Sequence, residues 1–200
     1  MAHSKIQFTK IACLACSFLL VCAALVMYSV DGQKATNKQR RDNLELKRLH
    51  DEDQADRTPA KGKEIDWAVV GPRDKARLTR VKELLAQNLL QTGHDYYRAA
   101  LVLQHGEEPE DFLLAHEFCV IALAKGKNDQ DTCWLAASSE DRFLMNIGRP
   151  QRFASQFRFE GNGPIQLYQV GPGVTDEMRR IMGLHSLAEA KAHEIELNKK

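Results

Sequence analysis

Several signatures that would assign a chemistry are missing from this chain. It has no Gly-x-Ser-x-Gly nucleophile elbow, no P-loop and no dinucleotide fingerprint. His116-Glu117 opens like a zinc protease motif, but Val120 stands where the second histidine belongs. The formal net charge of +1 gives no argument for nucleic acid or for an acidic partner, and no nucleic-acid partner is expected. Cysteine is scarce where it would matter. Of five cysteines, Cys13, Cys16 and Cys22 lie in an N-terminal apolar run, where they serve as small hydrophobes. The Cys13-x-x-Cys16 pair is a poor metal or redox candidate, because its thiolate form would be desolvated there. Only Cys119 and Cys133 remain, and two free thiols are expected rather than a disulfide, whose geometry their spacing does not fix. His116 and Cys119, at i and i+3, form a weak metal pair without a third ligand. No metal and no cofactor are expected.

The longest uncharged stretch is Ile11 to Val30, twenty residues. As a helix it would span roughly 30 Å, about the hydrocarbon thickness of a bilayer. A single-pass transmembrane anchor is expected over 11–30, after a short tail over 1–10. A cleaved signal peptide is the alternative, although no clear cleavage site follows Val30. The flanks hold Lys5 and Lys10 before the run, and Lys34, Lys38, Arg40, Arg41, Lys47 and Arg48 after it. That asymmetry favours a cytoplasmic C-terminal side, whereas the N-terminal position of the anchor favours an exported domain. The expectation adopted is a cell-membrane protein with an extracytoplasmic, periplasmic domain.

Residues 31–63 are charged and poor in large aliphatics, and read as a linker with a possible helix around Asn43–Arg57. A mainly α domain is expected over 64–200. Ile65–Val70 reads as an apolar entry closed by Gly71-Pro72, with a helix from about Arg73 to Thr92 that Gly93 ends. A second helix runs from near Asp95 to Gly106. A third opens at Pro109 with acids in its first turn, presents Phe112, Ala115, His116, Cys119, Val120 and Leu123 as its apolar face, and stops at Gly126. The fourth begins near Asp129–Asp131, buries Trp134 and Leu135, and ends before Gly148 and Pro150. Short connections between such helices imply antiparallel helical hairpins, here repeat-like without a clean repeat consensus. Alternation in Phe153–Phe159 and Ile165–Val170 predicts one short β-hairpin. Two short helices, Asp176–Met182 and Leu187 to about Leu197, finish the chain, the second opened by a Ser186/Glu189 capping box.

The polar candidates are His105, His116, Asp141, Arg142, Gln151, Arg152 and Gln156, with Phe153 and Phe157 beside them. A histidine with a carboxylate supports acid–base chemistry, His116 and Asp141 being the catalytic candidates, and arginine holds an anion. Each residue alone is more often structural: a histidine on an apolar face is usually a satisfied core residue, and Phe153 and Phe157 are usually core lids.

Two motifs carry a resemblance. Asp53-Gln54-Ala55-Asp56-Arg57 is an Asp-Gln-x-x-Arg element, and Gly148-Arg149-Pro150-Gln151-Arg152-Phe153-Ala154-Ser155-Gln156-Phe157 is a Gly-x-Pro-Gln-x-Phe-x-x-Gln-Phe signature. Together with the helical-hairpin core and His105-Gly106, they make about residues 44–190 resemble an uncharacterised bacterial family, a domain of unknown function. Ala154-Ser155 stands where that family's pattern has Gly-Thr. The resemblance implies no activity. It implies that Asp53, Gln54 and Arg57 fold back onto the domain, against the linker reading. The function expected first is a membrane-anchored interaction or scaffolding module for a protein or peptide. The second is an enzyme or small-ligand binder using a His/Asp/Arg/Gln groove.

Overall fold

The structure, a computed structural model, describes residues 40–158, 161 and 163–199. The expected anchor at 11–30 lies outside the described residues. Among those described, no helix is long and apolar enough to cross a membrane. The chain is mainly helical with one two-stranded antiparallel sheet.

Helix α1, Leu44–Asp56, begins at Asn43, whose side chain accepts from the Glu45 and Leu46 amides. It corrects the linker expectation for this stretch. Leu46, Leu49 and Asp53 share one face and are buried, so a stripe with only two aliphatic side chains docks the helix. Its charges pair with the next helix, Arg80 clamping Glu45 at 2.7 and 3.0 Å. Compact structure therefore begins near Arg41 rather than at 64.

Helix α2, Trp67–Ala86, also departs from expectation. It starts before Gly71-Pro72 and runs through them. Pro72 removes the hydrogen bond to the Ala68 carbonyl, but Ala68 is exposed and water can solvate that group. The helix stops six residues early, where Asn88 takes a left-handed φ of 56° and the Leu89 amide donates back to the Leu84 carbonyl. Gly93 opens the next helix instead of closing this one. A Cβ at Gly93 would lie 2.9 Å from the Lys127 Cβ and 3.0 Å from the Ala122 carbonyl oxygen, so the close approach demands glycine.

Helix α3, Gly93–Leu103, has a Thr92/Asp95 capping box, and Asp95 also accepts the Asn43 amide, tying the starts of α1 and α3 together. Ala99 to Leu103 are buried all round, which makes α3 the central helix. It packs against α1, α2, helix α4 (Pro109–Ala124) and helix α5 (Gln130–Asn146). The core joins Leu46 and Leu49 to Val81, Leu84, Ala99–Leu103, Phe118, Cys119 and Leu135. Val120 and Trp134, expected inside, are 50% and 43% exposed; both helices are apolar over more than one face, and Phe118 takes the inward position on α4.

The tail returns over α5. Strand β1, Phe157–Arg158, pairs antiparallel with β2, Gln166–Leu167, a shorter ladder than the alternation predicts. Helices α6, Asp176–Ile181, and α7, Leu187–Leu197, follow, the latter with the Ser186/Glu189 capping box. Phe153 and Val174 pack on Ala137 of α5 in a second small cluster.

Candidate functional site

The α3–α4 turn, Gln104 to Gly106, is the junction of two polar networks. On one side His105 reaches α1. On the other the Gln104 carbonyl reaches α5.

Asp53 is fully buried on α1. It accepts from Gln54 Nε2 at 2.8 Å, Arg57 Nη1 at 3.0 Å and His105 Nδ1 at 3.0 Å. A buried carboxylate needs such partners, because leaving it unpaired costs far more than the bonds return. Arg57 also grips Asp74 of α2 with two bonds, of 3.2 and 2.7 Å. Arg77, itself buried, bonds Asp56 at 2.8 Å and Asp74 at 2.6 Å, with its Nε 3.8 Å from Asp53. Burial pushes the Asp74 carboxyl up, but the Arg57 and Arg77 guanidinium groups more than reverse this and hold it below the usual carboxylate range. The same opposition, won by Arg77 and Arg73, lowers Asp56.

This lattice fixes the state of one imidazole. The Asp53 carboxylate accepts from Nδ1, so that nitrogen carries the proton and Nε2 keeps the lone pair in the neutral ring. Among the described residues Nε2 makes no hydrogen bond. His105 lines a groove of about 530 Å³ between α2 and the α3–α4 turn, shared with Trp67, Leu78, Lys75, Lys82, Asp74 and Asp111. Lys82 pairs with Asp111 at 2.5 Å, and Lys75 with Glu107 at 3.1 Å.

The second network builds the signature loop. Asp141, fully buried, accepts the Arg152 amide at 2.6 Å, the Phe153 amide at 2.9 and 3.1 Å, the Ser155 amide at 3.0 Å and the Ser155 hydroxyl at 2.8 Å. Every donor comes from the loop, so this carboxylate is committed to folding and is not a free acid or base. Gln151, also fully buried, donates to the Gln156 and Tyr168 carbonyls and accepts the Gln156 amide at 2.8 Å. Gln156 then donates to the Ser138 carbonyl and the Ser155 hydroxyl, which turns its Oε1 toward Arg142. Arg142 donates to that oxygen at 3.2 Å and to the Gln104 carbonyl at 2.7 Å, with its guanidinium carbon 5.7 Å from the Phe112 ring centre. Burial lowers the Arg142 pKa, and the like charge of Arg57 acts in the same direction.

The expected site residues therefore separate. Asp53, Gln54, Arg57 and His105 come together. Arg142, Gln151 and Gln156 form the adjoining group. His116 does not join them: its Nδ1 is 2.9 Å from the Ala136 carbonyl, where it staples α4 to α5. Arg152 is half-exposed near Glu140, Phe153 is core, and Phe157 meets the edge of His193 with ring centres 5.6 Å apart. Burial pushes the Cys119 thiol up to about 12, which disfavours the thiolate that a metal would need. No group of three or more His, Cys, Asp and Glu among the described residues could hold a metal ion. Asp56, Asp74, Arg77 and Gln104 escaped the sequence reading. The Asp74/Arg77 spacing of i, i+3 was the available signal, though surface pairs share it.

Compared with known proteins, the chain matches no family model, no curated protein and no solved structure.

Proposed function

We propose that this chain is a membrane-anchored domain that binds a small polar ligand and presents His105 to it as a general base. The observation that carries the reading is the His105–Asp53 pair. A buried carboxylate, steadied by Arg57 and Gln54, fixes the Nδ1–H tautomer of an imidazole that lines an open groove. This orientation leaves Nε2 to take a proton from a bound ligand and to return it. The interaction-module reading draws on the helical hairpins, repeat-like in character, and asks for a broad apolar face. Among the described residues the large exposed apolar side chains are instead spread over six helices, with Leu89 and Ile147 just beyond the ends of α2 and α5. The anchor rests on the apolar run at 11–30 and the exported orientation on its N-terminal place. A cysteine introduced at Ala60, which is exposed, should react with an impermeant thiol reagent on intact cells. Labelling only after lysis would put the domain in the cytoplasm.

The acid–base reading is tested with diethyl pyrocarbonate, which acylates an unprotonated imidazole nitrogen. Peptide mapping of the folded full chain should find His105 modified, and more slowly in Asp53→Asn, whose amide no longer fixes the tautomer. A His105 that stays unmodified until the chain is unfolded would remove the proposal.

A further inference from the structure

Arg142 is a half-buried cation whose hydrogen bonds among the described residues reach no carboxylate. Its Nε and Nη1 are held by two neutral oxygens, Gln156 Oε1 and the Gln104 carbonyl. Asp141, its neighbour in sequence, is committed to the loop amides. Every other acid of the seam already serves an arginine: Asp53 and Asp74 serve Arg57, and Asp56 serves Arg77. The nearby charge that acts on Arg142 is that of Arg57, which repels it. Nη2 has no acceptor among the described residues, and it is not among the buried polar atoms left without a partner, so this edge of the fork reaches solvent. Removing a guanidinium from water without an opposite charge is unfavourable, and among the described residues only the Gln104 carbonyl, the Gln156 amide oxygen and the Phe112 ring offset it here. The surroundings are nonetheless ordered in its favour. Gln151 fixes the Gln156 backbone, and Ser138 and Ser155 fix the Gln156 amide so that its oxygen, not its nitrogen, meets Arg142.

We infer that Arg142 is the receptor for an oxyanion, a phosphate or carboxylate group carried by the ligand. The group would take the free Nη2 edge and supply the missing negative charge, on the arginine whose Nη1 bonds the carbonyl of Gln104, the residue before His105. A guanidinium edge suits such oxygens, which accept charge-assisted bonds from it. The inference rests on the ligand-binding reading for its link to His105, but its test does not involve that histidine.

The test is thermal unfolding of the full chain in mild detergent, titrated with inorganic phosphate or with acetate against chloride at matched ionic strength. A saturable rise of about 3–6 °C is expected at tenfold excess over the dissociation constant, with phosphate or acetate, whichever is more effective, naming the group. Arg142→Gln should lose the rise. Arg142→Lys, which keeps the charge without the fork, should bind about tenfold more weakly, and it decides the matter should the Gln variant not fold. No saturable rise, or the same rise in the variants, overturns the inference and leaves the diethyl pyrocarbonate result at His105 untouched.

Discussion

Replacing Asp141 by Asn separates a structural role from a catalytic one. The carboxylate has two oxygens in use: Oδ1 takes the Arg152 and Phe153 amides, and Oδ2 takes the Phe153 and Ser155 amides and the Ser155 hydroxyl. In the Asn variant one oxygen becomes an NH2. The Ser155 hydroxyl can rotate to accept from it, but the Ser155 amide then faces a donor and loses its partner, at about 1–3 kcal/mol. The bonds that persist at the remaining oxygen lose their charge assistance, at roughly 0.5–1.5 kcal/mol each. The total comes to about 2–6 kcal/mol, a large share of the 5–15 kcal/mol typical of a domain. Urea unfolding followed by the fluorescence of Trp67 and Trp134 measures it as a lower midpoint at unchanged slope. A loss under about 1 kcal/mol would refute the reasoning, since it would mean that the loop does not depend on this carboxylate.

Two further outcomes follow from the same geometry. Asp74 has a folded pKa below its ordinary value of 3.8, so its contribution is complete above that value and is lost as pH falls through the lower folded one. Acid unfolding should therefore steepen below about pH 4, and Asp74→Asn should flatten that limb; an unchanged acid limb would count against the Arg57–Asp74–Arg77 clamp. Ala154 holds a left-handed φ of 64° and is nearly buried. Glycine there relieves backbone strain of about 1–2 kcal/mol but loses a packed methyl and gains unfolded-state freedom, so thermal unfolding of Ala154→Gly should match the parent, while Ala154→Val, β-branched, should melt several degrees lower. Equal melting of all three would show that the strain is not real.

Much of the scaffold was legible in the residues, because helix ends are written locally. Pro109, Asp129, Gly126, Gly148 and the Ser186/Glu189 box each act within a few residues, and each marks an end where one forms. What stayed hidden depends on partners far along the chain. Helix α1 looks like a tether because its charges outnumber its aliphatics, and only the pairs Glu45–Arg80 and Arg57–Asp74 show those charges to be docked. Gly93 reads as a stop until the approach of Lys127 explains why no side chain fits. The candidate site was half legible. The motif resemblance gathered Asp53, Gln54 and Arg57, and the histidine at the end of α3 was noticed. Their meeting was not, since 52 residues separate Asp53 from His105. Asp141 carried the opposite error: an acid within a polar stretch looks catalytic until the amides that consume it are seen.

The central claim is that Asp53 fixes His105 with Nε2 free. Nitrogen NMR of the imidazole in histidine-labelled full chain tests it directly, with His105→Gln assigning the signals. Near neutral pH the neutral ring of His105 should show a protonated Nδ1 and an unprotonated Nε2, and Asp53→Asn should mix the two tautomers. A ring protonated at Nε2 in the parent chain, or a tautomer that ignores the loss of the Asp53 charge, would contradict the account.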